Sequence, residues 1–181
     1  MVSILAAWNR GGLAMGRSGT PVVALGMLLG FAGTAEAQSP EPVPYWQGFY
    51  LGIMGNAVGT DERSTRSIGL VAGGGREVNG TYYFGAEAQL AAGSISGNGP
   101  YLWLEADGRL GARVTETMLL YTSAGVGYDT DLQSIALTGG AGAEIDLADG
   151  FALRAEYVVQ HYPAAASTNH GGQAGVVLKF D

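Results

Sequence analysis

Residues 101–114, Tyr-Leu-Trp-Leu-Glu-Ala-Asp-Gly-Arg-Leu-Gly-Ala-Arg-Val, decide the fold. Read in steps of two, they set Leu102, Leu104, Ala106, Leu110 and Ala112 against Trp103, Glu105, Asp107, Arg109 and Arg113. That is the period of a β-strand, whose successive side chains leave the backbone on opposite faces. A helix would need apolar residues at i, i+3, i+4 and i+7, and no such stripe is sustained from residue 46 onward.

The same period runs outward in both directions. Trp46–Val58 sets Phe49, Leu51 and Ile53 against Tyr50, Gly52, Met54 and Asn56. Arg66–Val78 sets Ile68, Leu70 and Ala72 against Gly69, Gly73, Gly75 and Glu77. Thr81–Ala92 sets Tyr82, Phe84, Ala86, Ala88 and Leu90 against Gly85, Glu87 and Gln89. Beyond the central stretch, Thr117–Tyr128 opposes Leu120, Ala124 and Val126 to Ser123, Gly125 and Gly127. Gln133–Leu147 opposes Ile135, Leu137, Ala141, Ala143 and Ile145 to Gly140, Gly142, Glu144 and Asp146. Phe151–Tyr162 opposes Leu153, Ala155, Tyr157 and Val159 to Arg154, Glu156 and Gln160, and Gly172–Phe180 opposes Ala174, Val176 and Leu178 to Gln173, Gly175 and Lys179. Each segment is near the roughly 9–11 residues that a tilted strand needs to cross a bilayer.

Which residues share a face matters more than the alternation itself. One face is apolar and free of charge, apart from strand ends such as Arg76; the other gathers glycine, small polar groups and charges. A soluble sandwich turns its charged face to water, whereas a barrel in lipid turns its apolar face outward and its polar face in. Glycine on the inner face makes room for long Glu and Arg side chains in a narrow lumen. The expected fold is all-β, an eight-stranded antiparallel up-and-down transmembrane β-barrel. Connections alternate accordingly. Asn79-Gly80, Thr115-Glu116 and Ala148-Asp149-Gly150 read as tight turns, and Gly59–Thr65, Gly93–Pro100, Asp129–Leu132 and Pro163–Gly171 as longer loops. Short turns face the periplasm and longer loops the outside.

Arg10 and Arg17 precede the apolar run Pro21–Gly33, which is followed by Ala35-Glu36-Ala37. That is the form of a cleavable signal peptide over residues 1–37, with Gln38 as the mature N-terminus; a start at Met15 would give a leader of more ordinary length. The run is too short to span about 30 Å of hydrocarbon as a helix. Residues 38–45, containing Ser-Pro-Glu-Pro-Val-Pro, read as a Pro-rich periplasmic linker, and residues 46–181 as the barrel. The chain of 181 residues has no cysteine, which excludes disulfides and thiol chemistry, and its formal charge of −7 argues against a nucleic-acid partner.

Trp46-Gln47-Gly48-Phe49-Tyr50-Leu51-Gly52, Leu153-Arg154-Ala155-Glu156-Tyr157 and Gly175-Val176-Val177-Leu178-Lys179-Phe180 resemble strands of a known family. They look like the opening, penultimate and closing strands of the outer-membrane β-barrel domain found in small porin-like surface proteins of alphaproteobacteria and in OmpA-like transmembrane domains. The resemblance covers residues 46–181. It implies residence in the outer membrane of a Gram-negative bacterium and recognition of the terminal aromatic, here Phe180 followed by Asp181, by the barrel-assembly machinery. It specifies architecture rather than function. The resemblance covers the barrel alone, so cell-wall tethering of the OmpA kind is not expected.

The inward charges are Glu77, Glu87, Glu105, Asp107, Arg109, Arg113, Glu144, Asp146, Arg154, Glu156 and Lys179, seven acids against four bases. Ion pairs that fill the interior are the first reading, since buried charges persist when paired. A proton- or ion-conducting path and a paired-carboxylate site are the others. Lipid A deacylases of the acyloxyacyl hydrolase class are also eight-stranded barrels, and carry His, then Ser two residues later, then an Asn-x-Gly stretch. Here Pro163 stands at the nucleophile position after His161-Tyr162, Asn169-His170-Gly171 echoes the later stretch loosely, and nothing in the spacing supports Ser167 as a substitute. Asp129 and Asp131 in one loop, and Asp61 and Glu62 in another, could bind divalent cations that bridge lipopolysaccharide, but solvated loop acids are the simpler account. The whole predicts a non-enzymatic envelope protein with a narrow, charge-filled lumen, no cofactor and no metal site. Its expected partners are outer-membrane lipids, lipopolysaccharide and the assembly machinery. A small-solute diffusion channel is the alternative, and a lipid A-modifying enzyme the more distant one.

Overall fold

The computed structural model describes residues 46–60, 64–95, 100–148 and 150–180. The expected signal peptide and Pro-rich linker lie outside them, as do Asp61 and Glu62. Eight strands follow in order: β1 (Gly48–Gly59), β2 (Ser64–Val78), β3 (Tyr82–Ile95), β4 (Pro100–Arg113), β5 (Met118–Asp129), β6 (Ser134–Ala148), β7 (Phe151–Tyr162) and β8 (Ser167–Phe180). Each pairs antiparallel with its sequence neighbours, and β8 pairs with β1, so the sheet closes on itself without an edge.

Register sets the shape. Stepping across the sheet from Phe49 through Gly74, Ala86, Gly108, Ala124, Gly139, Val159 and His170 returns to β1 at Gly59, ten residues further along. With strands about 4.8 Å apart and about 3.3 Å of rise per residue, that stagger tilts the strands by about 40°. A lumen of this width is filled by its own side chains.

The two faces fall as the alternation demands. Phe49, Leu51, Ile53, Ile68, Leu70, Leu90, Leu104, Leu110, Leu153 and Val176 are exposed on the outside, while Arg109, Glu144, Arg154 and Glu156 are buried within. This inverts the soluble arrangement, and the molecule is a transmembrane barrel. Three turns define one end, called here the turn end. Asn79 and Gly80 have φ of 55° and 67°, the left-handed pair of a type I′ hairpin. The second turn is longer than expected and takes in Val114–Thr117, with the Val114 N–H donating to the Met118 carbonyl.

Two strand limits depart from the sequence expectation. The first strand starts at Gly48, whose φ of 105° turns the chain and sends Trp46 inward beneath the barrel. The last starts at Ser167 instead of Gly172, so the expected loop Pro163–Gly171 shrinks to a 3-10 turn at Pro163–Ala165 and its αL cap, Ala166. Thr168, Asn169 and His170 carry no apolar alternation, yet β7 offers them a full row of partners up to the Tyr162↔Ser167 pair.

Candidate functional site

The inward charges predicted from the alternation lie in the lumen, apart from Arg113 at its rim, and the structure sorts them into two compartments. Near the turn end, Arg109 from β4 and Arg154 from β7 face Glu87 from β3 and Glu144 from β6. Arg109 Nη2 lies 3.3 Å from Glu144 Oε2 and its Nη1 3.6 Å from Glu87 Oε2. Arg154 donates from Nη2 and Nε to the same Glu144 oxygen, at 2.9 and 3.1 Å, and from Nη1 to Glu87. β3 and β7 are four strands apart in an eight-stranded ring, so the Arg154–Glu87 pair crosses the full lumen. The four side chains are 2, 0, 7 and 3% exposed in the order Arg109, Arg154, Glu87, Glu144.

Tyrosines complete this cluster. Tyr50 OH donates to Glu87 Oε2 at 2.5 Å and accepts from Arg109 Nη1 at 3.0 Å. The Arg109 guanidinium lies 3.8 Å from the centroid of the Tyr121 ring and 5.6 Å from that of Tyr83, while Arg154 lies 4.9 Å from that of Tyr50. Stacking of this kind suits a desolvated guanidinium better than an ammonium. Room for the rings comes from inward glycines: a Cβ on Gly75 or Gly85 would collide with the Tyr83 phenol. Below the arginines, Lys179 bonds Asp146, reaches Glu144 Oε1 at 3.2 Å, and sits 3.4 Å from the centroid of the Trp46 ring. Arg113 reaches Glu77 at 3.3 Å on the rim. Four bases thus meet four acids in the turnward compartment.

The loopward compartment has no cation in contact with its carboxylates among the described residues. Glu105 accepts from Trp103 Nε1 at 2.7 Å, and Asp107 from Thr138 Oγ1 at 2.7 Å. Glu156 accepts from Tyr121 OH at 3.0 Å, from Gln173 Nε2 at 2.9 Å and from Ser123 Oγ. Gln89, Asn56 and Ser67 form a further chain of neutral hydrogen bonds. A cavity of about 20 Å³ lined by Asn56, Ser67, Gln89, Glu105, Gln160 and Gln173 has room for about one water. Over it, Trp103 and Tyr162 meet edge to face, with centroids 6.5 Å apart. Alternation placed Arg109, Glu87 and Glu144 in one interior without pairing them; the structure pairs Arg109 with Glu87 and Glu144.

Other candidates resolve differently. His161 lies in β7, the expected strand Phe151–Tyr162, and His170 in β8 rather than in the expected loop; both are on the outer face, where His161 Nδ1 is 3.0 Å from Thr168 Oγ1 and His170 Nδ1 is 3.3 Å from Tyr157 OH. Ser167 opens β8 opposite Tyr162. Asp129 is buried as a turn cap: Oδ1 accepts from the N–H groups of Asp131 and Leu132, and Oδ2 from Tyr162 OH. No group of three or more His, Cys, Asp or Glu side chains among the described residues is arranged to hold a metal ion. Sequence reasoning missed Tyr83, Tyr121 and the inward Trp46. The tyrosines were signalled by parity, since Tyr83 steps by two to Gly85 and Glu87, and Tyr121 to Ser123.

No family model and no curated protein matches the chain. Solved structures do. The attachment invasion locus protein Ail of Yersinia pestis is similar over 74% of this chain and 97% of its own, with 15% identity and a TM-score of 0.55. The same outer membrane protein in a phospholipid nanodisc matches over 74% and 100%, with 16% identity and a TM-score of 0.47. A de novo designed transmembrane β-barrel matches over 74% and 97%, with 22% identity and a TM-score of 0.49. The fold of this chain is that of an outer-membrane β-barrel.

Proposed function

We propose that the protein is a non-enzymatic structural component of a Gram-negative outer membrane, with a lumen closed to solutes. The observation that carries this reading is the crossing of Arg154 to Glu87, joined by Arg109 and Glu144, four nearly inaccessible charges meeting inside the barrel. An ion moving along the axis would have to break these pairs in a poorly hydrated interior, where stranding one charge costs about 3–5 kcal/mol. The apolar outer belt supports membrane residence, and lipids and lipopolysaccharide are the partners such a belt would meet.

A second reading, a small-solute channel, is favoured by the loopward carboxylates, which leave a polar half-lumen above the ion pairs. A lipid-modifying role has less support. His161 meets Thr168, but no carboxylate among the described residues orients the imidazole as a hydrolytic triad requires. Conductance across planar bilayers tests the proposal. The unmutated barrel should give little or no steady current, and a large cation-selective current would establish the channel reading. Lipid A whose mass changes only when the protein is present would overturn the non-enzymatic reading.

A further inference from the structure

The outer face is apolar across its middle, but one corner of the loop end departs from this. A groove of about 560 Å³ lies there between β1, β2 and β8, lined by Ala57, Gly59, Thr65, Arg66, Thr168 and His170 among others. Arg66 pairs with Ala57 across β1–β2, Ala57 pairs with Gly172 across β1–β8, and Gly59 pairs with His170. The small residues therefore form a floor, with Arg66 and His170 as walls two strand spacings and two residues, about 12 Å, apart.

The Arg66 backbone pairs with Ala57 and Ser94, and its side chain makes no hydrogen bond or ion pair with any described residue. It lies just loopward of Ile68 and Leu70 on the lipid-facing side of β2, where the apolar belt gives way to water. His170 is oriented by Tyr157, and the adjoining Thr168 by His161. An arginine at this height is inexpensive, since the cost of a lipid-facing cation falls to about 0–1 kcal/mol near the interface. A guanidinium presents a planar fork of donors that matches phosphate oxygens.

We propose that this groove binds the phosphorylated headgroup of an outer-leaflet glycolipid, with a phosphate against Arg66 and sugar hydroxyls against Thr168 and His170. The proposal rests on the outer-membrane reading, because a lipid lying beside the barrel would set its headgroup against Arg66 and its acyl chains against the apolar belt.

The full chain folded into liposomes provides the test, with barrel formation read first from heat-modifiable gel migration. Bisphosphorylated lipid A should raise the melting temperature of the unmutated protein more than dephosphorylated lipid A does. Arg66→Ala should weaken lipid A binding by about fivefold, as expected for one charge-assisted contact at a wet interface, with Arg66→Lys in between. Arg76→Ala, at the opposite rim, should leave binding unchanged. Inorganic phosphate alone should not stabilise the protein; stabilisation equal to that by lipid A would make the groove a free-anion site and overturn the assignment. Insertion without any preference for the phosphorylated lipid, or with equal binding by the Arg66 variants, would overturn this inference alone. Failure to insert would overturn the membrane reading with it.

Discussion

The two halves of the lumen solve the same problem in different ways. Both place carboxylates where water is scarce, and each such group costs several kcal/mol unless it is compensated. The turnward half compensates with opposite charge, four bases against Glu77, Glu87, Glu144 and Asp146, and adds tyrosine rings. The loopward half compensates Glu105, Asp107 and Glu156 with neutral donors and a nearby cavity. The seven-to-four excess of inward acids is therefore not spread through the barrel. It is a balanced plug below and three surplus acids above. Closure and polarity are separate properties of this lumen.

The largest expected effect comes from unbalancing the plug. Arg154→Ala would leave Glu87 and Glu144 to share Arg109, with Lys179 still on Glu144, and should lower stability by about 3 kcal/mol in urea unfolding from liposomes. A loss under about 1 kcal/mol would mean that water already reaches the pair. A smaller contrast separates the faces. Leu104→Arg puts a cation in lipid and should cost about 2 kcal/mol or more. Gln89→Arg puts the same cation beside its register partner Glu105 and should cost far less, or stabilise. Equal losses in the same unfolding assay would contradict the assignment of faces. The smallest effect belongs to the surplus acids. Glu105→Gln keeps an acceptor for Trp103 and should change stability by no more than about 1 kcal/mol, whereas Glu144→Gln should cost clearly more.

Much of this was legible in residues 46–181. Parity alone set the facing of Leu104, Glu105, Arg109 and Arg154, because a one-residue slip would move every side chain to the wrong face. Partners were not legible. Arg109 meets Glu144 rather than Asp107 because the register and the ten-residue stagger bring distant strands together, and alternation carries no information on either. The start of β8 was hidden for a different reason: Thr168 and His170 face outward at the edge of the belt, so no apolar residue marks the period there. Trp46 was read as part of a strand, although Gly48 turns it under the barrel to Lys179.

The central claim is that the lumen is interrupted at the arginine pair, and thiol labelling tests it most directly because the chain has no cysteine of its own. Gln160→Cys would place a thiol in the loopward compartment and Ala152→Cys one just turnward of Arg154, each in the otherwise unmutated barrel. With a water-soluble, membrane-impermeant reagent applied from the loop side of proteoliposomes, the thiol at 160 should react and the thiol at 152 should not. Labelling at both positions at similar rates would show a continuous aqueous path and contradict the plugged lumen.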